Sequence, residues 1–75
     1  MTVKAERVLH QQLYDKSAVD EAVATYGPFA TVSVSDTEGQ WLVAVEVAPD
    51  ASYPAETIAS ELANYALAQT IVRRR

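Results

Sequence analysis

Between Phe29 and Ala48 the chain alternates apolar and polar positions in two runs separated by a polar break. From Phe29 to Ser35, Ala30, Val32 and Val34 point one way and Thr31, Ser33 and Ser35 the other, the period of a half-buried strand. From Gln40 to Ala48, Trp41, Val43, Val45 and Val47 share one face, with Leu42, Ala44, Glu46 and Ala48 opposite. Asp36-Thr37-Glu38-Gly39 between the runs predicts a hairpin turn, with Gly39 free to take a positive φ.

The flanking segments follow other periods. Residues from Val3 to about Tyr14 carry Val8, Leu9, Leu13 and Tyr14, and Arg7-Leu9-Gln11-Leu13 keeps part of a period-two pattern. With His10, Gln11 and Gln12 interspersed, this reads as an edge strand with one wet face. Ala18, Val19, Ala22, Val23 and Tyr26 lie at helical spacing in a short helix from Ala18 to Tyr26 that Gly27-Pro28 stops. Asp15 or Ser17 can cap it, and Ser17-Ala18-Val19-Asp20 resembles a capping box with Asp for the usual Glu. After the loop Pro49-Asp50-Ala51-Ser52, a long helix is expected from Pro54 to Val72, with Pro54 in its first turn. Ile58, Leu62, Tyr65 and Gln69 line one stripe, Ala59, Ala63, Ala66 and Leu67 lie beside it, and Ile71 and Val72 continue the apolar character.

The element order is β-α-β-β-α, an α+β fold: a small three-stranded sheet, mixed or antiparallel, with a short and a long helix packed on one face. Such a sheet has two edges, and an edge is a natural docking point for another chain or a peptide. All 75 residues form a single domain. A chain of this length buries only about 60% of its unfolded surface, and without cysteine it has neither disulfides nor thiolate metal ligands. Self-association is the expected stabiliser, so a homo-oligomer such as a two-fold dimer is anticipated.

Charge narrows the partners. The net charge is −4, and no Lys or Arg occurs between Ser17 and Val72, a stretch holding Asp20, Glu21, Asp36, Glu38, Glu46, Asp50, Glu56 and Glu61. A phosphate backbone would be repelled by that surface, so no nucleic-acid partner is expected and basic partners fit better. The closing Arg73-Arg74-Arg75 could be a nucleic-acid or membrane tag. Its simpler reading is a set of cations complementing a helix C-terminus. No apolar run approaches a membrane span, and the first residues lack the apolar stretch of a signal peptide, so a cytoplasmic location away from membranes is expected.

Candidate chemistry is sparse. His10 is the single histidine, and no metal-ligand spacing accompanies it. Ser17, Ser33, Ser35, Ser52 and Ser60 lie in no nucleophile-elbow pattern. Glu56 and Glu61 sit about 140° apart around a helix and do not converge. Gly27 and Gly39 cannot build a phosphate cradle. No catalytic residue, metal site or cofactor motif is expected, and the chain reads as a protein without its own enzymatic activity.

Glu61-Leu62-Ala63-Asn64-Tyr65 is the one local cluster that invites a role. Asn64 is a weak helix former in a helix rich in Ala, and Tyr65 falls on the core stripe, where its hydroxyl would reach a polar partner at the rim. Either Asn64 faces solvent while Tyr65 packs, or both make polar contacts to the sheet or a partner. Here the chain resembles the His-Xaa-Ser system protein HxsD and HxsD-like family. The likeness runs through Leu13-Tyr14, the helix with Ala18-Val19 and Ala22, the hairpin, and Glu61-Leu62-Ala63-Asn64-Tyr65-Ala66-Leu67. Leu62 stands where the family commonly has an aromatic, while Glu61, Asn64 and Tyr65 match. The resemblance implies an accessory role beside a radical SAM maturase that modifies a ribosomally made precursor peptide. Glu61, Asn64 and Tyr65 would then be partner-binding residues.

Overall fold

The computed structural model describes residues 2–74. The elements are β1 (Val3–His10), α1 (Lys16–Tyr26), a 3-10 turn (Gly27–Phe29), β2 (Thr31–Thr37), β3 (Gln40–Val47) and α2 (Ala55–Arg73). The fold is α+β, with β1 and β2 both pairing antiparallel to β3 in the order β1-β3-β2. β3 is central because its inner face is the most apolar, and a central strand loses the most surface to water. The register aligns Ala5 with Val45 and Leu9 with Trp41 on one side of β3, and Val32 with Val45 and Val34 with Val43 on the other.

Both helices cover this inner face. Val19 and Ala22 of α1 and Ile58, Ala59, Leu62 and Ala66 of α2 meet Ala5, Leu9, Val43, Val45 and Val47 in one buried cluster. Ala18, Ala22, Ala59 and Ala66 are fully buried, and such short side chains let the helix axes come close. The other sheet face is open. It pairs Lys4 with Glu46, Val8 with Leu42 and His10 with Gln40, and presents Thr31, Ser33 and Ser35 from β2.

The hairpin turns tighter than its sequence suggests. Asp36 and Thr37 continue β2, and the loop is Glu38-Gly39 alone, at φ 48° and 81°. Two successive positive φ values are what a two-residue hairpin needs to match strand twist. Several expected boundaries move. β1 ends at His10, not Tyr14, because the His10 carbonyl accepts the amides of Leu13 and Tyr14 and closes a turn. β2 starts at Thr31; Phe29, expected to open it, belongs to the 3-10 turn. α1 begins at Lys16, which places Ser17 inside the helix and removes the expected capping box. Asp20 instead accepts Lys16 Nζ at 2.9 Å, one turn back. Pro54 is the N-cap of α2 and its carbonyl accepts the Ile58 amide. Leu67, expected beside the core stripe, is 40% exposed, because the buried arc runs through Ala55, Ile58, Ala59, Leu62, Ala66 and Thr70.

The arginines near the C-terminus act within the fold. Arg74 donates to Asp15 Oδ1 through Nε at 3.1 Å and Nη2 at 2.7 Å, and to the Gln12 carbonyl at 2.9 Å. Arg73 Nη2 lies 3.5 Å from Glu21. Asp15 holds the N-cap position of α1 without a side-chain cap bond, since its carboxylate serves Arg74. Arg75 lies outside the described residues.

Candidate binding cleft

Gly27-Pro28 ends α1 abruptly, and the 3-10 turn that follows turns Phe29 outward beside Tyr26. Across from it, the loop into α2 delivers Tyr53 one residue before Pro54, and the first turns of α2 supply Thr57, Ile58 and Glu61. These six residues line a solvent-facing cleft of about 250 Å³. Ile58 is 4% exposed and packs into the core, which anchors the cleft to the domain.

The walls are aromatic. Phe29 and Tyr53 stand edge to face at 6.2 Å between centroids and 89° between planes, yet each is more than half exposed. Tyr26 makes a second edge-to-face pair with Tyr65, at 6.1 Å and 85°. Such pairs hold ring orientation and add about 0.5–1.5 kcal/mol beyond area burial. The Tyr65 hydroxyl donates to Glu21 Oε2 at 3.2 Å, and Glu21 is also the partner of Arg73. Tyr65 therefore reaches the polar rim partner expected of it and ties α2 to α1 behind the cleft.

The three residues singled out in the sequence separate in space. Glu61 lines the cleft. Asn64 is exposed and makes no side-chain hydrogen bond among the described residues, the solvent-facing arrangement. Glu56 points to the other side of α2, where it accepts Arg7 Nη2 at 2.7 Å, so it and Glu61 do not converge. The described ion pairs join Arg7 to Glu56, Lys16 to Asp20, Arg73 to Glu21 and Arg74 to Asp15, and none includes Glu61.

The sequence reading missed Phe29, Tyr53 and Tyr26 as site residues. A signal was present: Tyr26 and Phe29 flank Gly27-Pro28, and Tyr53 precedes Pro54. His10 lies apart, on the open sheet face near the hairpin. Among the described residues no three His, Asp or Glu side chains are placed to hold a metal ion, and no helix is long and apolar enough to cross a membrane. Compared with protein-family models, curated proteins and solved structures, the chain matches none.

Proposed function

We propose that this chain is a non-catalytic binding protein that holds a peptide segment, in an accessory role beside a radical SAM maturase and its ribosomally made precursor peptide. The observation that carries the binding role is the free edge of β2 next to the aromatic cleft. β2 offers Thr31, Ser33 and Ser35 with no proline, no bulge and no charged side chain before Asp36. Such an edge accepts an added strand through main-chain hydrogen bonds. Phe29, on the cleft wall, precedes its first residue by two positions. The resemblance through Glu61, Asn64 and Tyr65 supplies the maturation context.

The test is affinity capture of the tagged protein from its native lysate, with mass spectrometry of what is retained. Recovery of a radical SAM enzyme or a short precursor peptide is expected, with weaker recovery by folded Glu61 or Asn64 variants. Capture that both variants leave unchanged sinks the role of the motif.

A second reading is a self-associating homodimer, favoured by the outer face of α2. Leu67, Ile71 and Val72 are each exposed by 40% or more and sit within two turns of one another. The solution mass of the purified protein separates the readings. A dimer that retains no peptide or enzyme would replace the accessory role with a structural one.

A further inference from the structure

We infer that the cleft is a receptor for a basic side chain, a lysine or arginine of the bound peptide. This inference rests on the peptide-holding reading above and specifies what the cleft recognises. An apolar ligand would need only the walls. Here three aromatic rings, Tyr26, Phe29 and Tyr53, surround an opening that also carries a carboxylate, Glu61. Ring faces attract cations through their quadrupole, and the attraction grows as water is excluded. Glu61 adds a full negative charge at the same opening, while Ile58 and the ring edges can take the aliphatic stem of a long basic side chain.

The charge around the cleft is uncompensated. Glu61 has no ion-pair partner among the described residues. No Lys or Arg stands between Ser17 and Val72, so every lining residue comes from a stretch without cations. Arg73 is engaged by Glu21, which also accepts the Tyr65 hydroxyl, and Arg7 is engaged by Glu56. The rings are also preset: Phe29 braces Tyr53 and Tyr65 braces Tyr26, so little side-chain freedom is lost on binding.

The test titrates the full chain, labelled with nitrogen-15, with acetyl-Gly-Lys-Gly-amide, its arginine counterpart and the uncharged norleucine isostere. Amide shifts are expected to centre on Tyr26, Phe29, Tyr53 and Glu61 with either basic peptide. The isostere should bind about 3- to 30-fold more weakly, the ratio given by an exposed cation–π contact together with a solvent-exposed ion pair. Glu61→Gln removes the ion pair and keeps the rings, so it should weaken the basic peptides by about 1.5- to fivefold and leave the isostere unaffected. Phe29→Leu, which keeps an apolar wall at a position already exposed, should also weaken the basic peptides selectively. Equal binding of all three peptides, shifts centred elsewhere, or no shifts would overturn the inference. If a captured peptide partner binds the Glu61→Gln protein as tightly as the unaltered one, the cation site falls and the peptide-holding role stands. If the basic probes seat in the cleft while lysate capture yields no peptide or enzyme, the site stands and the accessory role falls.

Discussion

Thr70 is a buried polar residue at the far end of α2, 2% exposed, and its replacement by valine isolates one hydrogen bond. Its hydroxyl donates to the Ala66 carbonyl at 2.8 Å and accepts the Asp15 amide at 3.1 Å. The first bond is dispensable, because that carbonyl also receives the helical amide of Thr70. The second is not. The Asp15 amide sits at the N-cap of α1 and has no other acceptor among the described residues. Thr70→Val keeps the side-chain shape and orphans that donor, at a cost of about 1–3 kcal/mol. The buried methyl returns up to about 0.8 kcal/mol, leaving a net loss from a few tenths to about 2 kcal/mol. For a domain of this size each kcal/mol moves the melting temperature by about 4–8 °C, so a fall of up to about 15 °C is expected. Circular dichroism melts at fixed protein concentration, paired with urea titrations whose slope stays constant, would measure it. A melting temperature equal to or above the original would refute this account of how the start of α1 is held against the end of α2.

Two further outcomes follow from the hairpin and the core. Glu38 holds φ 48°, a region that costs a long side chain more than it costs asparagine; Glu38→Asn should raise stability by about 0.5–1 kcal/mol and the melting temperature by a few degrees. Leu62 is 1% exposed between both helices and the sheet, and Leu62→Ala should cost about 2–5 kcal/mol, comparable with what so small a core supplies. Collapse of amide dispersion in the proton–nitrogen spectrum at room temperature would report that loss, and a fully dispersed spectrum would contradict it.

What the sequence revealed divides along physical lines. The hairpin and the long helix were legible because their signals are local: strict alternation through Val32, Val34, Val43 and Val45, and a stripe through Ile58, Leu62, Tyr65 and Gln69 with Ala59 and Ala66 beside it. The strand order was not. Placing β3 between β1 and β2 depends on nonlocal pairing, such as Leu9 with Trp41, that no single segment encodes. The N-terminus of α1 was legible in position, with Asp15 at the N-cap, but not in its bonding. Asp15 and Ser17 look like caps, yet the Asp15 carboxylate finds a stronger partner in Arg74, 59 residues away, and tertiary pairing overrides the local option. Leu67 was placed with the core because a helix stripe read without its neighbours is wider than the face that is covered. The cleft is the extreme case, since it joins the end of α1, the loop before α2 and the outer flank of α2's opening turns.

The same long-range pairing shapes the charge that a partner meets. Arg7, Lys16, Arg73 and Arg74 each neutralise an acid within the domain, at Glu56, Asp20, Glu21 and Asp15. Three of these pairs fasten elements together: β1 to α2, and α1 or its N-cap to the end of α2. Exposed pairs contribute at most about 1 kcal/mol each, so their main effect on the surface is to cancel charge where the helices meet. Glu6, Asp36, Glu38, Glu46, Asp50 and Glu61 have no such cation among the described residues. Uncancelled acid therefore stands at the hairpin, the loop before α2 and the mouth of the cleft, and also on the open sheet face at Glu6 and Glu46, where Lys4 is the register partner of Glu46. A basic peptide would be drawn toward that surplus before any contact forms, and its capture rate should fall as salt is raised. Aromatic walls and a fixed register along β2 would then set which basic segment stays.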